Sequence, residues 1–318
     1  MSPRVSVIGA GPFGVTIAWI IGKEGRPVRL WSSSLPKRKA LRSKRKAPNT
    51  PVKLPDNVEI VDTLEEALEP GLIFVAVPPS HFRGVMKAAA PLLTPEQRII
   101  HTVKGLEPGG KALSTVISEE TCVLQTGVLA GPVVPHEVWR GDAMSAVVGS
   151  RFHAVAVEAA AVLTGPSLRV FGSHDLIGVE VASAMRTPLG LAAGMLHELG
   201  LGRATLAFLL TRGVVEAGRL ASVLGGASRT ASGLAGIGDW MVTADDKHAP
   251  VVQAGHRLGK GEACGYDEAE ARVRTLLEIA ARHRVEMPIT EAVGAVLDGQ
   301  AVDEALNGLM SRRMSFEI

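Results

Sequence analysis

The first third of the chain alternates short runs of β-branched and other apolar residues with stretches of helical composition. Runs at 5–8, 27–31, 58–61 and 72–77 read as strands, the last stopping abruptly at Pro78-Pro79, and runs at 98–103, 122–126 and 143–148 extend the series. Between them, 14–22, 64–68, 83–92 and 154–163 read as helices. Strands that alternate with helices in this way build a parallel sheet with helices wound on both faces. After about Ser173 the texture changes to a long region rich in Ala, Leu and Gly, with helical runs at 179–199, 203–224 and 268–314, the last broken at Pro288. The pattern predicts an α/β fold: a doubly wound sheet in residues 1–175 followed by an all-α domain in 176–318. Small residues at Gly190, Ala192, Ala193 and Gly194 would let helices of that second domain approach closely.

The strongest local signal follows the first strand. Gly9-Ala10-Gly11-Pro12-Phe13-Gly14 is a GxGxxG loop that opens a predicted helix in the first βαβ unit. Gly9 makes the tight turn, Gly11 lets backbone amides approach a pyrophosphate, and Gly14 packs helix on strand, with Pro12 and Phe13 completing the contact. The helix N-terminus lends partial positive charge to the phosphates. This context points to a Rossmann-type domain that binds a nicotinamide nucleotide.

A chain that binds NAD usually places Asp or Glu at the end of its second strand, about 20 residues on, for the ribose hydroxyls. Here that position is Ser32-Ser33-Ser34, and no acid occurs between Glu24 and Asp56. Lys37, Arg38, Lys39, Arg42, Lys44, Arg45 and Lys46 crowd the following loop. Serine hydroxyls and cations suit a 2′-phosphate, so NADP is expected over NAD. Ser32, Ser33, Lys37 and Arg38 are its candidate ligands, and most of the basic run reads as a solvated face.

Composition narrows the classes. The chain has 318 residues, 46% hydrophobic and 21% charged, enough apolar material for two cores. The net charge of +2 gives no global attraction to nucleic acid, and no aromatic residue is interleaved with the basic run. Cys122 and Cys264 are the only cysteines and form no short-spaced pair that would signal a metal site or redox couple, which fits a reducing cytoplasm. Met1-Ser2-Pro3-Arg4 leads straight into the first strand, and no apolar run approaches the roughly 18 residues of a membrane span. The expectation is therefore a cytoplasmic protein, neither secreted nor embedded, that acts on a small molecule. There is no HExxH zinc motif, GxSxG elbow or Walker loop.

With the loop, several downstream segments make the chain resemble the bacterial NAD(P)-dependent glycerol-3-phosphate dehydrogenases almost end to end. Val77-Pro78 resembles the family's Val-Pro-Ser turn beside the nicotinamide, and Lys104-Gly105-Leu106-Glu107 its Lys-Gly-Leu-Glu motif. Gly131-Pro132 with Glu137 is similar to a Gly-Pro-x-x-Ala-x-Glu segment, with Val133, Val134 and Pro135 differing. Gly178-Val179-Glu180, Thr211-Arg212-Gly213, the run from Gly233 to Asp239 and the run from Val285 to Glu291 follow in family order. The resemblance implies hydride transfer between the cofactor and a small hydroxy or keto compound, dihydroxyacetone phosphate or a relative, with Lys104, Arg186, Asp239 and Thr243 at the reacting centre. A homodimer is expected from the apolar helical domain.

Three positions depart from the family pattern. Met185-Arg186-Thr187 stands where the family has Leu-Lys-Asn, whose lysine exchanges the substrate proton; arginine stays protonated and is a poor base. Pro250-Val251 replaces an Arg-Asn pair that contacts the substrate phosphate, and neither side chain can donate a hydrogen bond. Lys247, His248 and Arg257 are the neighbours able to compensate. Cys264, before Gly265, replaces an acidic residue. Two further readings stay open beside glycerol-3-phosphate turnover: a specialised reductase for a non-phosphorylated substrate, and an NADP(H)-binding regulatory protein without turnover. His81 after Pro78-Pro79, and His136 beside Glu137, are additional acid–base candidates.

Overall fold

The structure is a computed structural model that describes residues 5–46, 50–107 and 109–311. The lead-in Met1 to Arg4 and the predicted helix end at 312–314 lie outside the described residues. The chain divides into two compact units, Met1–Glu107 with Lys111–Glu180, and Pro108–Gly110 with Val181–Ile318.

The first unit is built on one sheet with strands β1 (Val5–Ile8), β2 (Val28–Trp31), β3 (Val58–Ile60), β4 (Leu72–Val75), β5 (Arg98–His101), β6 (Gln125–Ala130), β7 (Met144–Gly149) and β8 (Leu168–Ser173). Its helices are α1 (Pro12–Lys23), α2 (Leu35–Lys44), α3 (Leu64–Leu68), α4 (Pro79–Ala89), α5 (Leu113–Glu120), α6 (Pro135–Arg140) and α7 (His153–Leu163). The strand order is β3-β2-β1-β4-β5-β6-β7-β8. The chain winds outward from β1 to one side, then crosses back to β4, which makes β1 and β4 the switch point of a doubly wound sheet.

Alternation along the central strands explains why both faces are covered. Leu72 and Phe74 enter one core cluster with Val7, Leu30, Ile17 and Val155, whereas Ile73 and Val75 enter the other with Ile8, Phe82, Met86 and Ile117. A strand buried on both sides reads as an unbroken apolar run, which is why Leu72-Ile73-Phe74-Val75 was legible without any polar alternation.

Three sequence expectations need correction. The sheet is not wholly parallel, because β6 and β7 pair antiparallel, with Leu129 opposite Val148. The connection between them, residues 131–143, holds one short helix, α6. The strand expected at 122–126 begins at Gln125 and runs on to Ala130 through Gly127, a residue that reads as a breaker. A methyl group on Gly127 would lie 3.1 Å from the Gly149 carbonyl oxygen, a tight contact that its neighbours would have to relax to admit. The basic run after β2 is a helix, α2, not a loop; Ser34 caps it by accepting from the Lys37 amide at 3.4 Å. At the junction of the units Glu180 is hydrogen-bonded to His101 and Ser114, and the first unit runs to Glu180.

The long helix α8 (Leu176–Glu198) therefore starts in the first unit and continues in the second. The second unit adds α9 (Arg203–Val223), α10 (Asp239–Asp245), α11 (Pro250–Gly259), α12 (Asp267–His283), α13 (Pro288–Leu297) and α14 (Val302–Met310). Glycines let α8 and α11 touch backbone to backbone. A methyl group on Gly194 would lie 2.1 Å from the Val252 carbonyl oxygen, and one on Gly255 2.1 Å from that of Leu191. Among the described residues no helix is long and apolar enough to cross a membrane.

Candidate active site

The glycine loop lies at the C-terminal ends of three strands. The Gly9 amide donates to the Trp31 carbonyl at the end of β2 (2.8 Å), and the Ala76 amide after β4 donates to the Ile8 carbonyl (2.8 Å). Gly9 has φ +110°, and a methyl group there would lie 2.3 Å from the Ala76 carbonyl oxygen. On Gly14 a methyl group would lie 1.9 Å from the Gly9 carbonyl oxygen. Both positions need glycine for closure of the loop onto β4. Gly11 differs: a methyl group would meet nothing within 4 Å, and as N-cap of α1 it offers no side-chain hydrogen bond. Open space thus stands over the start of a 12-residue helix whose first amides lack a side-chain cap, a cradle that fits a pyrophosphate. Pro12 is exposed at the first helical position, and Phe13 packs partly against the core. Val77 and Pro78, half-buried and exposed, follow β4 beside this loop, with Val77 Cγ1 3.2 Å from the Gly9 methyl position.

At the end of β2 the serines divide their work. Ser32 is buried and its hydroxyl accepts from the Ser34 amide (3.3 Å), Ser34 caps α2, and Ser33 is exposed. Lys37 is exposed on the first turn of α2. Arg38 folds back so that its guanidinium donates to the Ser32 carbonyl and stands 3.9 Å from Asp62. Arg42 also pairs with Asp62, at 3.0 Å. An acid does reach this corner, from the residue that follows Val61 beyond β3 and not from the end of β2.

Lys104 follows β5 in a loop tied at both ends. Before it, His101 is fully buried and its Nε2 shares a hydrogen bond with Glu180 Oε1 (2.9 Å); Glu180 also accepts from the Ser114 amide (2.9 Å) and hydroxyl (2.7 Å). After it, Glu107 is paired with Arg83, which also reaches Glu119 and Glu120. Between them Gly105 takes φ +132°, and the Lys104 ammonium donates to the Gly131 carbonyl (3.4 Å). The His101–Glu180–Ser114 cluster was not legible in the sequence, since its members are 66 and 79 residues apart. His81 and His136 are exposed, and no hydrogen bond joins His136 to Glu137.

Within the second unit, Arg186, Asp239 and Thr243 come together. A turn over 234–238 delivers Asp239 to the first position of α10; there Gly236 has non-helical backbone, and a methyl group on it would lie 1.9 Å from the Ala231 carbonyl oxygen. The next residue, Trp240, is fully buried and donates from Nε1 to the Ala182 carbonyl of α8 (2.9 Å). One turn further along each helix, Arg186 Nε donates to Thr243 Oγ1 (2.6 Å) and stands 3.6 Å from Asp239 Oδ2. Thr243 Oγ1 donates in turn to the Asp239 carbonyl (2.8 Å).

The other departures lie on α11 and in the segment that follows it. Pro250 is exposed at the first position of α11, and Val251 is buried against Gly190, where a methyl group would lie 2.7 Å from Val251 Cγ1. Arg257 donates from Nε to the Cys264 carbonyl (2.7 Å), and Lys247 and His248 are exposed. Burial pushes the Cys264 thiol up, so it stays protonated. Glu216 of α9, absent from the sequence reading, accepts from the Ile289 and Thr290 amides and the Thr290 hydroxyl at the start of α13. Among the described residues no three His, Cys, Asp or Glu side chains gather as metal ligands.

Comparison with known proteins bears on both units. The family profile described as NAD-dependent glycerol-3-phosphate dehydrogenase N-terminus matches residues 4–156, and its C-terminus counterpart matches 175–307. The chain is 34% identical over 334 residues to a glycerol-3-phosphate dehydrogenase (NAD(P)+) of Fusobacterium nucleatum, covering 99% of this chain and 98% of that one. A Bradyrhizobium sp. protein of the same name is 33% identical, with 98% of each covered. The crystal structure of glycerol-3-phosphate dehydrogenase from Coxiella burnetii superposes with TM-score 0.90 at 29% identity, over 97% of this chain and 98% of that one. Two matched profiles in order, together with full-length relatives above 30% identity, make this chain a member of the NAD-dependent glycerol-3-phosphate dehydrogenase family.

Proposed function

We propose that this protein is a nicotinamide-dependent oxidoreductase that prefers NADP(H) and moves a hydride between the cofactor and a small hydroxy or keto compound. Dihydroxyacetone phosphate and glycerol 3-phosphate are the first pair to test, because the relatives carry that name. The observation that carries the reading is the open cradle at Gly11, framed by Gly9 and Gly14 at the β1/β4 switch point. The bound cofactor supplies the hydride chemistry. Gly9, Gly11, Pro12, Phe13 and Gly14 hold its pyrophosphate, Ser32, Ser33, Lys37 and Arg38 its adenosine end, and Val77 and Pro78 flank the nicotinamide. Lys104, held near the Gly131 carbonyl, donates or accepts the proton on the substrate oxygen. Arg186, Asp239 and Thr243 bind the substrate. Dinucleotide binding is assigned to the first unit; substrate recognition and homodimer formation are assigned to the second. The two free cysteines suit a reducing cytoplasm.

A steady-state assay with NADPH and dihydroxyacetone phosphate, from neutral to alkaline pH, tests the substrate. Saturable NADPH oxidation is expected; its absence while NADPH still binds would remove that substrate. A second reading, an NADP(H)-binding protein without turnover, is favoured by Arg186, which cannot deprotonate, and by the donor-free Pro250 and Val251. Arg186→Lys with Pro250→Arg and Val251→Asn should then gain turnover, although Val251→Asn places an amide among buried neighbours and lowers stability.

A further inference from the structure

The Arg186 side chain is held from one side only. Its Nε is committed to Thr243 Oγ1 at 2.6 Å and faces Asp239 Oδ2 at 3.6 Å. Thr243 and Asp239 are 3% and 4% exposed, whereas the Arg186 side chain is 29% exposed. The two terminal guanidinium nitrogens have no hydrogen-bond partner among the described residues. Four N–H donors therefore face outward on a planar group whose inner edge is pinned.

A pinned fork differs from a free surface arginine. Free surface arginines lose side-chain entropy on binding, but here the Thr243 bond and the anchoring of α10 to α8 by Trp240 have already set the orientation. Two parallel N–H vectors match two oxygens of one carboxylate or phosphate, a geometry that a lone carbonyl cannot fill and an ammonium cannot offer. Asp239 sits at the Nε edge and leaves the terminal edge uncovered. Behind the cluster the packing is apolar: Thr243 Cγ2 is 3.4 Å from the methyl position on Gly190, which also meets Val251. Positions 250 and 251 add no side-chain donor beside it.

We infer that Arg186 is a specificity-determining residue that grips, in bidentate fashion, an oxyanion substituent of the substrate, either a carboxylate or a phosphate. This rests on the oxidoreductase reading for the word substrate, but the anion site itself is testable without turnover. Asp239 and Thr243 then act as positioning residues for the fork.

Isothermal titration of the full chain with inorganic phosphate and, separately, with oxamate tests the site, with and without NADPH, in the native protein and in Arg186→Lys and Arg186→Gln. Arg186→Met, which keeps the aliphatic stem, replaces the glutamine variant if that one fails to fold. At least one probe is expected to bind the native protein at a single site. Its affinity should fall about 10-fold in Arg186→Lys, which keeps the charge without the fork, and about 100-fold in Arg186→Gln or Met, the range for losing a charge-assisted bidentate pair. NADPH binding should stay within about 2-fold throughout. Phosphate binding identifies a phosphorylated substrate, and oxamate binding a carboxylate-bearing one. The inference is overturned if neither anion binds the native protein, or if the glutamine or methionine variant binds as the native protein does. Failure of NADPH to bind beside intact, Arg186-dependent anion binding would instead overturn the proposed function and leave this site standing.

Discussion

A methyl group on Gly14 would lie 1.9 Å from the Gly9 carbonyl oxygen, whereas one on Gly11 meets nothing within 4 Å. The two glycines therefore separate folding from binding. Gly14→Ala should destabilise the chain by about 1–3 kcal/mol, the usual cost of forcing a methylene into a closed contact. Gly11→Ala should cost less than about 1 kcal/mol, since its backbone is already extended, yet it should weaken NADPH by at least about 10-fold because the methyl group enters the cradle. Urea unfolding and NADPH fluorescence titration measure the two effects; equal NADPH affinity in Gly11→Ala and native protein would place the cofactor elsewhere. The motif already assigns Gly11 to the approach of a pyrophosphate and Gly14 to packing of helix on strand; the clearances around each are what the fold adds.

At the scale of elements, buried carboxylates fasten helix ends. Glu216 on α9 accepts from the first amides of α13, and burial outweighs these bonds and pushes its carboxyl up to about 7. The sign follows from linkage: the folded state holds this proton more tightly than the unfolded chain, whose carboxyl sits near 4.5. The stabilisation is full below about pH 4.5 and is lost as pH rises to about 7, a change on the order of 3 kcal/mol. Glu216→Gln should flatten that part of the pH–stability curve, as read by denaturant midpoints between pH 5 and 8. Parallel curves for the two proteins would show that Glu216 does not titrate there. Glu180 plays a comparable part for His101 and Ser114, and through them ties the start of α8 to the end of β5. Two of the elements not expected from the sequence lack a clear apolar pattern: α2 has Leu41 as its buried anchor, and β8 alternates poorly and leaves Phe171 exposed.

For the whole molecule, the proposed preference for NADP(H) rests on one corner of the first unit. Ser33 and Lys37 are exposed there, whereas Arg38 is partly committed to the Ser32 carbonyl and to Asp62. Ser33→Ala with Lys37→Ala should lower the NADPH-over-NADH preference by about 10-fold, chiefly by weakening NADPH, since a charge-assisted contact to the 2′-phosphate is lost. A preference unchanged in binding assays with both cofactors would exclude these two residues. By itself the sequence determined the α/β class, the glycine loop and the order of family motifs, because each depends on contacts within about 20 residues or on local apolar period. Tertiary structure decided the rest: the antiparallel β7, Asp62 beside the basic helix, the ties around Lys104, and the pinned guanidinium of Arg186. These arise where side chains far apart in the chain must satisfy one another's charge and hydrogen bonds, and no local pattern encodes such a pairing.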